Sequence, residues 1–176
     1  MSFKYKPPQP GLLVIFVITA SVFLFIDLWS KSAVFEFLAD KPYWRYEVIP
    51  GWFNLVMREN SGAAWSMFAG QRLFLTGISA FAMAALIVIA FVGMFKTRVE
   101  YFVLGMFTAG VAGNLYDRLF NDGKVRDFID INLQINDYHW PTFNIADSLL
   151  CIGVGIYILG FVFFAKEKES RNDSTD

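Results

Sequence analysis

Residues 113–147 read GNLYDRLFNDGKVRDFIDINLQINDYHWPTFNIAD, and the rest of the chain is organised around them. One apolar run arrives over 99–117 and another leaves over 145–165, so carboxylates, amides and an arginine are gathered where two greasy segments end. Ionisable and amide side chains are costly at a membrane boundary, which makes such a cluster a functional-site candidate by default. Asp127 and Asp147 are the leading catalytic candidates within it.

Working outward, the 176 residues are 56% apolar and 18% aromatic, too greasy and too short for a soluble two-domain protein. A single membrane domain over 1–176 is the economical expectation. The net charge of -1 provides no basic field for nucleic acid. Cys151 lies in an apolar run and reads as packing. His139 is the lone histidine and has no partner at metal-ligand spacing, so no metal and no cofactor are expected.

The apolar runs over 11–28, 73–95, 99–117 and 145–165 predict an α-helical integral membrane protein with four transmembrane helices. The first resembles a secretory signal but has no clean cleavage site and is followed by further spans, so it reads as a retained helix. The loops over 30–72 and 118–143 are expected outside the membrane. Aromatic and β-branched residues around Pro50-Gly51 predict short strands, hence a small β-rich extracytoplasmic loop. Basic residues crowd the N-terminal tail, the turn at 96–98 and the C-terminal tail, which places both termini in the cytoplasm and the carboxylates near the outer face. The polar tail over 172–176 reads as disordered. Gly105, Ala109 and Gly113 recur every four residues, the spacing that lets helix backbones touch in lipid. Asp27 and Lys31, at i and i+4, read as a surface ion pair at the rim or as a solvated helix end.

Asn144 and Asp147 fall in the first turn of the last helix. They suit an N-cap with an acid at the positive end of the helix dipole, but can also serve one site. Asp127 follows Asn114, Asp117, Arg118 and Gly123 in the stretch that must return to that helix. Two carboxylates brought together cannot both ionise cheaply, so they would share one proton, one acting as base and the other as acid. The base would draw a proton from a water attacking a peptide carbonyl. Arg118 could pair with Asp117 or hold a substrate carbonyl, and the amides of Asn60 and Asn114 could do the latter.

At this point the residues resemble a known family. Asp27 with Lys31, the stretch 60–66 (NSGAAWS), 113–119 (GNLYDRL), 123–128 (GKVRDF) and 143–148 (FNIADS) are similar to the ordered blocks of lipoprotein signal peptidase, the signal peptidase II family of bacterial intramembrane aspartyl proteases. The resemblance implies an aspartic endopeptidase that removes signal peptides from prolipoproteins, cutting before a cysteine that carries diacylglycerol. It implies a catalytic dyad of Asp127 and Asp147, with Asn60, Gly62, Asn114, Arg118, Asn144 and Ala146 supporting the dyad or binding substrate. Asp27, Lys31 and Asp117 are then structural. It further implies a bacterial inner-membrane location, membrane lipid as a partner, an apolar groove for acyl chains and inhibition by cyclic peptides such as globomycin. Trp65 stands where the family usually has phenylalanine. The rival readings are a proton-coupled carrier, which would favour mid-bilayer carboxylates and a repeated architecture, and a noncatalytic scaffold.

Overall fold

A computed structural model describes residues 7–63, 67–135 and 138–173, with side chains as far as Gly160. Four long helices, α1 (Pro10–Leu38), α2 (Arg72–Val92), α3 (Arg98–Phe120) and α4 (Ile145–Asp173), carry a small antiparallel sheet of β1 (Arg45–Ile49), β2 (Phe53–Asn60) and β3 (Val125–Ile131). Among the described residues, α1 and α2 are long and apolar enough to cross a membrane.

The helix ends follow backbone chemistry rather than hydropathy. From Leu12 to Leu38 there is neither glycine nor proline, so α1 continues well past the expected limit at 28, with Asp27 and Lys31 inside it. α2 ends at Gly93, whose φ of 70° is the left-handed conformation of a helix terminus. α3 starts in a capping box: Thr97 Oγ1 accepts from the Glu100 amide while Glu100 accepts from the Thr97 amide. α4 runs on to Asp173, so the tail expected to be disordered from 172 is helical up to that residue.

α3 is the central helix and packs against α1, α2 and α4. Leu12 and Phe16 of α1 meet Tyr101 and Leu104 of α3 and Ala90 of α2. Met106 and Ala109 of α3 meet Leu149 of α4. Glycines on α3 permit this closeness: a Cβ at Gly105 would lie 2.7 Å from Thr19 Cβ, and one at Gly110 2.7 Å from the Ala146 carbonyl. Yet Phe25, Phe81, Val88, Ile152 and Ile158 point outward and are exposed. Helices apolar on their outer faces as well as their inner ones suit a hydrocarbon solvent, not water.

The expected strands flank Pro50-Gly51 as a hairpin, with Ile49 opposite Phe53 and Arg45 opposite Val56. β2 then pairs with β3, which lies inside the 118–143 segment expected as a loop, in a register that sets Arg58 opposite Asp127 and Asn60 opposite Val125. Phe143 adds an isolated bridge to Ile129, its amide donating to the Ile129 carbonyl at 3.1 Å and its carbonyl accepting at 2.9 Å. That bridge brings the start of α4 beside β3.

Candidate active site

Asp127 leaves β3 and Asp147 sits on the first turn of α4, and a single residue, Asn144, holds both. Its Nδ2 donates to Asp127 Oδ1 at 2.7 Å, and its backbone amide donates to Asp147 Oδ2 at 3.2 Å. Asn144 Oδ1 in turn accepts from the Asp147 amide at 3.0 Å, a reciprocal cap at the head of α4. Asn144 therefore caps the helix and at the same time holds both carboxylates. Each carboxylate has a second amide donor: Asn60 Nδ2 reaches Asp127 Oδ2 at 3.1 Å, and Asn114 Nδ2 reaches Asp147 Oδ1 at 2.8 Å.

The carboxylates differ in setting. Asp127 is 2% exposed, whereas Asp147 is half-buried. Burial, reinforced by the nearby charge of Asp147, pushes the Asp127 carboxyl up from the usual carboxylate range to about 7, against the opposing hydrogen bonds from Asn60 and Asn144. Both acids line a cleft of about 1710 Å³ that runs from β2 past the 139–143 segment to α4.

Asp27, Lys31 and Asp117 are completely buried beneath the dyad rather than solvated at a rim. Lys31 Nζ lies 2.7 Å from Asp27 Oδ2 and 3.3 Å from Asp117 Oδ2, and donates to Asn114 Oδ1 at 3.1 Å. Asp27 Oδ1 accepts from the Ala146 amide at 2.8 Å, one of the unpaired donors at the start of α4. Gly113, expected to serve helix contact, makes room for this carboxylate: a Cβ there would stand 2.1 Å from Asp27 Oδ2. Burial in apolar surroundings forces such charges to pair, which is why the acids and basic groups converge.

Arg118 does not pair with Asp117. Its NH2 donates to the Gly62 carbonyl at 3.1 Å and its NH1 to the Asn114 carbonyl at 3.4 Å, while its buried Nε has no hydrogen-bond partner among the described residues. Asp117 is clasped instead by Arg126, through Nε at 3.0 Å, NH2 at 2.7 Å and the backbone amide at 3.0 Å. The sequence reading gives Arg126 no role, because a separation of nine positions from Asp117 carries no signal that its side chain turns back. It also passed over Asn54 and Asp130. Asp130 Oδ2 accepts from Asn54 Nδ2 at 2.9 Å and its Oδ1 meets His139 Nδ1 at 2.8 Å, so the lone histidine has a carboxylate partner. Gly62 accepts from Arg118 and donates its amide to Asn60 Oδ1 at 2.9 Å, fixing the Asn60 side chain. Trp65 lies outside the described residues, as do Ala64 and Ser66. No group of three or more metal-ligating side chains occurs among the described residues.

The arrangement matches known proteins over most of its length. The family model for signal peptidase (SPase) II matches residues 19–163. The chain is similar to the lipoprotein signal peptidase of Sulfurihydrogenibium sp., with 41% identity over 86% of this chain and 92% of that one. Its similarity to the lipoprotein signal peptidase of Syntrophus aciditrophicus is 35% identity over 89% of this chain and 97% of that one. Among solved structures it superposes on a bacterial membrane enzyme determined by the in meso method at 2.3 Å resolution. The TM-score is 0.74 at 28% identity, covering 93% of this chain and 95% of that one. With the family's sequence pattern and a solved membrane enzyme's fold both covering most of its length, this chain belongs to the signal peptidase II family.

Proposed function

We propose that the protein spans the bacterial inner membrane four times, with both termini in the cytoplasm, and cleaves the signal peptide from diacylglyceryl-modified prolipoproteins just before the lipidated cysteine. Family membership supports the substrate class and peptidase activity. The observation that carries the mechanism is the pair of carboxylates on one cleft, each fixed by its own amide donors and differing in burial.

In this reading Asp127, the more buried acid, holds the shared proton and Asp147, open to the cleft, is charged. Asp147 takes a proton from a water as it attacks the scissile carbonyl, and Asp127 gives its proton to the carbonyl oxygen. When the tetrahedral diol collapses, the proton on Asp147 passes to the leaving nitrogen and Asp127 recovers its own. The pair ends as it began, and no cofactor enters the balance. Arg118 Nε is a buried donor for a substrate carbonyl. The apolar cleft wall between α3 and α4 accepts the acyl chains, and cyclic peptides such as globomycin would compete there. Confinement of substrate and site to one bilayer raises their encounter in two dimensions.

The test is cleavage of a diacylglyceryl prolipoprotein in lipid by the wild type, Asp127→Asn and Asp147→Asn, with folding checked by thermal stability. Two folded but inactive variants beside an active wild type support the dyad. Either variant retaining near-normal cleavage sinks it, and a wild type that never cuts would turn attention to the proton-carrier reading.

A further inference from the structure

Arg58 is the charged group that neither the dyad nor its supports account for. It lies directly opposite Asp127 in the β2–β3 ladder, and residues so paired project from the same face of a sheet. It is exposed and lines the same cleft as Asp127, and no hydrogen bond or ion pair engages it among the described residues. Its charged neighbours are otherwise matched. Lys31 and Arg126 answer Asp27 and Asp117, and Arg118 faces Asp147 and Asp127. Glu59, the residue next to Arg58, is held by Lys124 at 2.7 Å, and Arg45 sits 3.7 Å from Glu47. Asp130, which also lines the cleft, is engaged by His139 and Asn54. Arg58 is thus a charged side chain on the sheet wall of the cleft that no hydrogen bond or ion pair engages among the described residues.

The position of that wall says what passes it, granted the function proposed above. The signal segment of a prolipoprotein stays in the bilayer beside the helices, so the mature chain must leave the dyad on the side of the exposed, polar hairpin. Facing side chains in an antiparallel pair stand about 5 Å apart and an extended chain advances about 3.3 Å per residue. Arg58 therefore reaches the first one or two residues after the lipidated cysteine.

We infer that Arg58 forms a subsite for an acidic side chain immediately following the lipidated cysteine, making it a specificity residue of the enzyme. An exposed ion pair is modest, but exchanging an acidic for a basic substrate residue replaces attraction with repulsion. The expected preference is about three- to tenfold in kcat/KM, larger at low salt.

The experiment measures kcat/KM for three lipidated prolipoproteins that differ only at the residue after the cysteine, Asp, Asn or Lys, with wild type, Arg58→Met and Arg58→Glu. The readout is the Asp-to-Lys ratio within each enzyme, so differing amounts of folded protein cancel. The ratio should exceed one in the wild type, approach one in Arg58→Met and invert in Arg58→Glu. An unchanged ratio in Arg58→Glu overturns the subsite while leaving the peptidase reading intact. So does an equal loss on all three substrates, which would mean that Arg58 meets something common to them, such as a lipid headgroup phosphate. A wild type that cuts none of the three overturns the underlying function and the subsite with it.

Discussion

Lys31 Nζ donates to Asn114 Oδ1 at 3.1 Å, with the lysine fully shielded from solvent. Because an ammonium can only donate, this contact fixes which way the Asn114 amide faces. Its oxygen is turned to Lys31 and its NH2 to Asp147 Oδ1, 2.8 Å away. A residue of the first helix thereby orients a carboxylate on the last without touching it.

Lys31→Met keeps an unbranched side chain one atom shorter and removes its charge. Asp27 and Asp117 would then share one partner less in a buried setting. Losing one member of a buried ionic cluster costs about 3–5 kcal/mol, so thermal unfolding in detergent should occur well below the wild-type temperature. Cleavage by the fraction that folds should fall on the order of a hundredfold, as expected for a misplaced catalytic group. Retention of both stability and activity would show that the Lys31 contacts are dispensable.

Gly113→Ala and Gly155→Ala should move in opposite directions. The first places a methyl group 2.1 Å from Asp27 Oδ2, whereas the second meets nothing within 4 Å. Overpacking costs about 1–3 kcal/mol or more, and a glycine replaced by alanine inside a helix gains about 0.5–1 kcal/mol. Paired melting curves of the two variants check the sign of each change.

The elevated Asp127 carboxyl links stability and activity to pH. Its folded value, about 7, lies above the ordinary carboxylate value of 3.8. The folded state therefore holds the proton more tightly than the unfolded chain over that interval. The associated stability is complete below pH 3.8 and is lost as pH rises through about 7. Asp127→Asn has no such group to ionise, so its melting temperature should gain on the wild type between pH 5 and pH 8. Cleavage by the wild type should fade over the alkaline half of the same range as the dyad loses its shared proton. A difference in melting temperature that stays flat with pH would count against a protonated Asp127.

Several features were legible in the residues themselves. The long apolar runs predicted the helices, and the Pro50-Gly51 turn between β-forming residues predicted the hairpin. The spacing of Asn144 and Asp147 predicted a capped helix start. These are local properties, governed by hydropathy, turn chemistry and side chains a few residues apart. α1 starts where the apolar run predicts but extends past 28 for a related reason: hydropathy falls at Asp27, but nothing in the backbone stops a helix before Leu38.

The sequence by itself determined which groups had to be reconciled: acids, amides and basic residues embedded in an apolar chain, all of which need partners once water is removed. Only the tertiary structure decided who pairs with whom. Asp117 turns to Arg126 and Lys31 rather than to its neighbour Arg118, Gly113 yields space to a carboxylate, and the Phe143–Ile129 bridge sets Asn144 beside Asp127. Those choices depend on contacts between residues far apart in the chain. They are fixed when α3 packs between α1 and α4 and β3 joins the hairpin, and no local spacing encodes them.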